Sequence, residues 1–362
     1  MRGVPLKRLA VAALVLAGAV AIAAPLSPAS SNAYTVKVLV SDEPTPGATL
    51  DPNLVNGWGL AAGPTTPWWV ADNGTDKSTL YTGAGAIVPL VVSVEGGPTG
   101  LVFNGTSSFV VSAGGGSGPA RFIFDTEDGT IRGWNPNVPP PTPPTSTKTE
   151  VGVDNSSADA IYKGLAIAQT PHGPLLYAAD FHNARIDVFD GSWMPVQTAG
   201  GFVDPNLPAH FAPFNVQTIG SRVFVAYAQQ DEEAEDEVAG EGLGVVDAYD
   251  LQGNLLARVA SGGKLNAPWG LAWAPDSFGK FAGDLLVGNF GDGRISAYAE
   301  VSPGHFEFRG LLRDGNGHPL VIDGLWALQF GNGSAAGPKE TLFFTAGPDE
   351  ETHGQYGSIT PG

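Results

Sequence analysis

Three tryptophans and a lysine stand at the same position of a recurring sequence pattern and could together bind a ligand. Trp58 and Trp269 each precede Gly-Leu, Trp326 precedes Ala-Leu, and Lys163 precedes a further Gly-Leu. Indole faces bind sugar rings and organic cations, so these four residues form a candidate ligand-binding group. The alternative interpretation is that a tryptophan recurring with a repeat packs between neighbouring repeats.

Side-chain oxygens near the same pattern could hold a metal ion. Asn56 lies two residues before Trp58, Asp72 ends the apolar run that follows, and Asp323 lies three residues before Trp326. Carboxylate and amide oxygens are the ligands of Ca²⁺, which makes Asn56, Asp72 and Asp323 a candidate metal group and Ca²⁺ a possible cofactor. Such an ion would acidify water or polarise an ester. The alternative is that Asp and Asn close turns by hydrogen bonding to the backbone.

The acidic run "DEEAEDE", residues 231–237, is a further place where chemistry could occur. Like charges this dense repel one another unless a cation neutralises them. The run therefore has two interpretations, a metal cluster and a solvated loop, and the solvated loop is the favoured one.

The elements that must position these residues form a repeat. Six times, a short apolar strand leads through a turn to a second apolar strand, and a third strand usually follows. The reference positions of the six repeats, spaced 41 to 64 residues apart, are Trp58, Thr99, Lys163, Phe214, Trp269 and Trp326. With 50 Gly and 30 Pro, this pattern predicts an all-β fold, a six-bladed β-propeller. The start of each inner strand and the loop after each second strand then share one face, where function is expected.

Two details of the repeat assignment bear on the fold. The last repeat stops after "YGSI", and the alternating stretch "YTVKVLVSD", residues 34–42, precedes the first repeat; pairing the two would close the ring and remove exposed edges. In the second repeat, "SFVVSAG" is predicted as the second strand and "RFIFDTEDGTIRGWN" as the third. A seven-bladed ring is the alternative if residues 122–153 contain another blade.

Composition and charge narrow the functional classes. The 362 residues carry a net charge of −18 and include no Cys, which excludes disulfides and cysteine chemistry. An acidic surface repels phosphate backbones, so nucleic acid is not an expected partner, whereas a small molecule, a glycan or a cation is. No nucleophile elbow, dinucleotide loop, P-loop or paired-histidine zinc motif occurs.

The first 33 residues have the features of a signal peptide. Arg2, Lys7 and Arg8 precede an apolar stretch over residues 9–24, and "SNA" offers small residues for cleavage. The interpretation is a signal peptide over residues 1–33, a single propeller domain over residues 34–362, and a secreted or periplasmic monomer that does not contact the membrane after cleavage. An uncleaved membrane anchor is the alternative.

Long motifs of the chain resemble a family of uncharacterised exported bacterial β-propeller proteins. The motifs include "NGWGLAAGPTTPWWVADNGTDKSTLY", "ARFIFDTEDGTIRGWNP" and "LNAPWGLAWAPDSFGKFAGDLLVGNFGDGRISAY", and the resemblance covers nearly all of residues 34–362. It implies the propeller fold and export. More distantly, the repeats are similar to NHL-type propellers and to calcium-dependent lactonases, whose metal is held by a Glu, two Asn and an Asp. "DGLW" at Asp323 matches one of these positions, but Asn56 or Trp58 stands where the Glu is expected.

These observations predict a ligand-binding or interaction scaffold with its site at the mouth of the propeller channel. The first alternative is a metal-dependent hydrolase, lactonase or lyase that uses Asn56, Asp72 and Asp323. The second alternative is a structural cell-surface protein without a small-molecule site.

Overall fold

Six antiparallel β-sheets are arranged as blades around a central channel in the computed structural model, which describes residues 1–3, 31–141 and 145–362. The predicted signal peptide lies almost wholly outside these residues. Within the described ranges, no helix is long and apolar enough to span a bilayer. The predicted six-bladed all-β propeller is confirmed.

The strands of the first three blades follow, each blade from the channel outwards. Blade one contains Gly57–Ala61, Trp68–Asp72, Lys77–Tyr81 and Ile87–Ser93. Blade two contains Pro98–Phe103, Phe122–Thr126, Thr130–Trp134 and Glu150–Asp154. Blade three contains Tyr162–Thr170, Gly173–Asp180 and Arg185–Asp190. The 3₁₀ helices Asn73–Thr75, Ser156–Ala158 and Gly279–Phe281 lie in connections.

The remaining blades complete the ring. Blade four contains Phe211–Ile219, Arg222–Gln230, Val245–Asp250 and Leu255–Ser261, and the short strand Glu237–Val238 pairs with the second of these. Blade five contains Pro268–Trp273, Leu285–Asn289, Ile295–Ser302 and His305–Leu311. Blade six contains Leu325–Phe330, Leu342–Ala346 and Gln355–Pro361, and its fourth strand is Tyr34–Ser41, which is extended by Thr49–Leu50.

The strand assignment within blade two differs from the prediction. The predicted second strand "SFVVSAG" falls instead on a separate hairpin formed by Val110–Ala113 and Gly116–Pro119. The predicted third strand is two strands, Phe122–Thr126 and Thr130–Trp134, joined by the turn at Asp128. The prediction was wrong here because the hairpin has the same local apolar character as a blade strand, and only tertiary pairing distinguishes them. Residues 122–153 thus complete blade two and do not add a seventh blade.

The glycine that follows most reference positions allows neighbouring inner strands to approach closely. A Cβ atom on Gly59 would lie 2.4 Å from the carbonyl oxygen of Thr99 in blade two. A Cβ atom on Gly100 would lie 2.2 Å from the backbone nitrogen of Leu165 in blade three. Contacts this short are closer than van der Waals packing permits. The recurring Gly-Leu pair therefore follows from the narrowness of the ring.

The core lies between neighbouring blades as well as in the channel. Between blades one and two, for example, Trp69 stacks on Phe122 with ring centroids 4.1 Å apart. Similar apolar clusters separate the other pairs of blades. Burial of apolar side chains in these layers supplies the main stabilisation of a chain that has no disulfides.

Candidate functional site

The inner strands all begin at one face of the propeller, which we call the upper face, and end at the lower face. Five of the six reference positions are the second residue of their inner strand, and Phe214 is the fourth residue of its strand. The side chains around the upper end of the channel form the upper mouth, which contains the predicted ligand-binding residues.

An aromatic plug closes the channel below the upper mouth. It consists of Trp58, Phe214, Trp269 and Trp326. Trp58 stacks on Trp326 with centroids 3.6 Å apart, and Trp269 meets both edge-on at 6.2 and 5.9 Å. The structure thus brings the three predicted tryptophans together. It differs from the prediction in that they are 4% exposed or less, so they form a packed plug and not an open wall.

Lys163 lies directly above the plug. Its Nζ atom is 5.3 Å from the centre of the Trp58 ring, and its backbone oxygen accepts a hydrogen bond from Nε1 of Trp269 at 2.8 Å. Nζ donates to Oε1 of Glu127 at 2.7 Å and to Oδ1 of Asp236 at 2.9 Å. Burial lowers the pKa of Lys163, but the two carboxylates outweigh that effect, so its pKa lies above the usual value and the group is an ammonium ion.

A hydrogen-bonded network joins this ion pair to the other side of the mouth. Nδ2 of Asn73 donates to Oε2 of Glu127 at 2.8 Å. Nδ2 of Asn56 donates to Oδ1 of Asn73 at 3.3 Å and to Oε2 of Glu351 at 2.6 Å. Oδ1 of Asn56 in turn accepts from Nε1 of Trp326 in the plug at 2.9 Å. The polar rim and the plug are therefore one connected structure.

Four carboxylates surround the mouth, and we call them the carboxylate ring: Glu127, Asp236, Glu237 and Glu351. Lys163 is the one cation that pairs with any of them within the described residues. Burial raises the pKa of Glu237 to about 8, against the opposing charge of Lys163. Burial also raises the pKa of Glu351, while its hydrogen bond from Asn56 opposes the change. The mouth thus holds more negative charge than its lysine neutralises.

The backbone that carries Glu351 is strained. Asp349, Glu350 and Glu351 have φ angles of 53°, 56° and 65°, so three consecutive residues other than Gly are left-handed. Each such residue costs on the order of 1 kcal/mol or more, and strained backbone concentrates at functional sites. The strain here places one carboxylate within hydrogen-bonding distance of Asn56.

The three residues predicted to hold a metal differ in their burial and in their hydrogen-bond partners. Asn56 lies in the network of the upper mouth, whereas Asp72 is fully buried and its Oδ1 accepts from the hydroxyl of Thr79 at 3.2 Å. Burial raises the pKa of Asp72 well above its ordinary value, which disfavours the ionised form that a metal needs. Asp323 is exposed and accepts from the backbone of Asp349. In the described part of the chain, no three acidic, His or Cys side chains are placed to hold a metal.

Sequence reasoning missed most of the carboxylate ring. Glu127 was hidden because the second strand of blade two was misplaced, so the loop containing it was not assigned to the upper face. Asp236 and Glu237 belong to the acidic run, whose favoured interpretation was a solvated loop. The available signal was position, because all four carboxylates follow a second strand of their blade.

Comparisons with known proteins show one close group of relatives. The chain is 31% identical to the uncharacterized protein R648 of Acanthamoeba polyphaga mimivirus over 340 residues, which cover 90% of this chain and 80% of that protein. It is 31% identical to the uncharacterized protein L690 of the same virus over 341 residues, covering 90% and 85%. No protein-family model matches the chain. These viral relatives do not support the bacterial origin implied by the resemblance, and export stays a prediction.

Solved structures with similar folds have low sequence identity. A protein of unknown function from Bacteroides thetaiotaomicron has a TM-score of 0.51 at 11% identity, covering 90% of this chain and 76% of that one. A streptogramin B lyase has a TM-score of 0.49 at 9% identity, covering 91% and 98%. A gluconolactonase from Xanthomonas campestris has a TM-score of 0.40 at 16% identity, covering 66% and 81%. At these identities the likeness concerns the fold alone.

Proposed function

The chain belongs to the same family as the mimivirus proteins R648 and L690, and from this premise we propose that it is a binding propeller whose upper mouth takes a small organic cation. The observation that supports the proposal is the convergence of four carboxylates on a mouth that contains one paired lysine. A low-dielectric mouth lined by one sign of charge attracts ligands of the opposite sign.

The state of the carboxylate ring favours an incoming cation. Glu237 is half-buried, and its carboxylate makes no hydrogen bond or ion pair with a side chain in the described residues. Burial makes the carboxyl group of Glu237 costly to ionise, which raises its pKa to about 8 even though the charge of Lys163 opposes the change. A bound ammonium group would relieve that cost, so the ligand and the ionised form of Glu237 stabilise each other.

An organic cation fits this mouth better than the other predicted ligands. The tryptophans are buried, so their faces do not offer a sugar-stacking surface. Phe290, which is half-buried and stacks on Trp326 at 4.0 Å, gives the mouth an aromatic ring that an ammonium or guanidinium group could contact. The different surroundings of Asn56, Asp72 and Asp323, with Asp72 fully buried and Asp323 exposed, give no support to the alternative of a metal-dependent hydrolase, lactonase or lyase.

Isothermal titration calorimetry with cadaverine and spermidine tests the proposal. We expect saturable binding at low salt that weakens as salt is added, because the attraction is electrostatic. The variant Glu237→Gln removes the carboxyl group that a bound ammonium would ionise, and Glu351→Gln removes a second carboxyl group of the ring, so each should weaken binding by several-fold to about ten-fold.

The matched control is Glu340→Gln, which makes the same change at an exposed position between the first two strands of blade six, towards the lower face. It should leave the affinity unchanged. Absence of saturable amine binding up to about 10 mM would contradict the proposal. Equal losses in Glu237→Gln and Glu340→Gln would also contradict it, since they would indicate only a general attraction to an acidic protein.

A further inference from the structure

A cavity of about 250 Å³ opens at the lower end of the channel, opposite the upper mouth. Most of the residues that line it are apolar or aromatic, among them Trp68, Phe103 and Phe330, although polar atoms supply slightly more of its exposed surface than apolar atoms do. The amides of Gln217 and Gln329 are among its polar groups. We call this space the lower cavity. None of the residues that line it is charged.

Several polar groups in the wall of the lower cavity lack a protein partner. Gln217 and Gln329 are half-buried, and their amides make no hydrogen bond within the described residues. Nε1 of Trp68 and Oγ1 of Thr218 make none within the same residues either, but both atoms are shielded from the open space of the cavity. The two glutamine amides are therefore the unpaired polar groups that a molecule in the cavity would meet.

Side-chain hydrogen bonds hold the loops at the rim of the lower cavity in place. Nδ2 of Asn332 donates to the backbone oxygens of Gly63 at 2.8 Å and Thr66 at 2.9 Å, which joins blade six to blade one. Oδ1 of Asn332 accepts from the backbone of Ser334 and Ala336. This side chain is fully occupied in holding the two loops, which leaves Gln217 and Gln329 to meet a ligand.

The lower cavity is separated from the upper mouth. Above Gln217 and Gln329 the channel narrows to a void of about 10 Å³ beside Trp269, which is the space of about one water molecule. A ligand in the lower cavity would therefore not reach Lys163 or the carboxylate ring.

We propose that the lower cavity is a second binding site, for a neutral polyol the size of a single sugar ring. The apolar wall suits the C–H face of such a molecule, and the amides of Gln217 and Gln329 each offer a donor and an acceptor to its hydroxyl groups. Because no charged side chain lines the cavity, it offers an ionised ligand no ion pair, which favours a neutral one. A volume of about 250 Å³ lies just below the range of sites for drug-sized ligands.

Saturation-transfer NMR on the full chain tests this site with glucose, galactose, myo-inositol and glycerol, and with glucuronate as the charged comparator. We expect transfer to the C–H protons of at least one neutral polyol and none to glucuronate. Gln217→Met and Gln329→Met should each weaken binding about ten-fold or more, because each leaves ligand hydroxyls unpaired.

Gln169→Met is the matched control, since Gln169 is exposed on the inner strand of blade three and does not line the cavity. Circular dichroism and urea midpoints confirm that each variant is folded, and either glutamine variant suffices if the other is not. The inference is overturned if no neutral polyol shows transfer to the folded protein, or if the cavity variants bind as Gln169→Met does. Loss of polyol binding in Glu237→Gln would place the ligand at the upper mouth and overturn it too.

Discussion

The two ends of the channel are built from the same six inner strands and yet differ in almost every physical property. The upper mouth is charged, hydrogen-bonded and closed by the aromatic plug, whereas the lower cavity is uncharged and open, and several of its polar groups are unpaired. In a propeller the strands fix the ring, and the residues at the two ends of each strand are free to differ. The two ends of the channel therefore have opposite chemistry although the same strands build them.

The origin of the difference lies in residue size and loop position. At the upper end, large rings such as Trp58 and Trp269 meet across the channel and leave no room. At the lower end, Ala61, Ala62 and Ala166 line the wall, so the channel widens. The carboxylates come only from loops after second strands, which all lie at the upper face.

The largest expected loss of stability comes from disrupting the close packing of the inner strands, which form both ends of the channel. Gly100→Ala places a methyl group 2.2 Å from the backbone nitrogen of Leu165, where backbone must move. We expect the free energy of unfolding to fall by about 3 kcal/mol or more, and both sites to lose affinity together. Urea denaturation measures the change. Gly315→Ala is the control, because a Cβ atom there meets nothing within 4 Å, and an equal loss in that variant would contradict the close-packing argument.

The next effect should be confined to the upper mouth. The double variant Glu127→Gln, Asp236→Asn removes both carboxylates that pair with Lys163, whose side chain is only 2% exposed. An ammonium ion left buried without a partner should cost about 2–3 kcal/mol of stability in denaturant titrations, towards the lower limit for buried pairs because the two partners are partly exposed.

Two comparisons sharpen this second prediction. Glu241→Gln breaks the exposed pair between Glu241 and Lys264, whose side chains are 66% and 48% exposed, and should change stability far less than the double variant does. Polyol binding at the lower cavity should be the same in the double variant as in the parent. A double variant no less stable than Glu241→Gln would show that the ion pair does not stabilise the mouth.

The smallest expected effect is a pH dependence of stability, to which Glu237 at the upper mouth contributes and the lower cavity does not. The pKa of Glu237 is raised from 4.5 to about 8 in the folded protein, so between these values the folded chain holds a proton that the unfolded chain has released. The contribution of Glu237 to stability therefore decreases as pH rises through this window. Thermal melts should show Glu237→Gln equal to the parent near pH 4 and more stable by about 1–2 kcal/mol above pH 8.

The lower cavity supplies the contrast for the pH measurement, because no titratable side chain lines it. Gln329→Met should keep the pH dependence of the parent. Asp125, whose pKa burial raises to about 7, titrates in the same window in every variant, so the quantity to follow is the difference between variants. A constant difference across the pH range would show that Glu237 does not titrate as described.

Much of the fold was predictable from the sequence, because a strand pattern that recurs at a regular spacing indicates a repeat architecture. The six reference positions and the glycine after most of them are local signals, and both carry over into the structure. Blade two was the exception, since its inserted hairpin and its own strands have the same apolar pattern. Which of these segments belongs to the blade depends on pairing with strands distant in the sequence, and the local sequence pattern does not show that pairing.

The site was predictable only in part, for a similar reason. The sequence predicted that Trp58, Trp269, Trp326 and Lys163 lie together at one face of the ring, and the structure has them as neighbours there. Whether the tryptophans would face a ligand or one another depends on the width of the channel, which the sequence does not display. The motifs "NGWGL" and "NAPWGL" also look alike, but Asn56 faces the mouth network, whereas Asn266 accepts from the backbone of Gly240.

The position of Lys163 affects how cooperatively the propeller unfolds. Although it belongs to blade three, this residue touches Trp58 of blade one, Glu127 of blade two, Asp236 of blade four and Trp269 of blade five. In a linear repeat array each unit contacts only its neighbours, and unfolding can proceed one repeat at a time. Here a single side chain couples five of the six blades, so loss of any one of them weakens the others, and unfolding of the ring should be a single cooperative event.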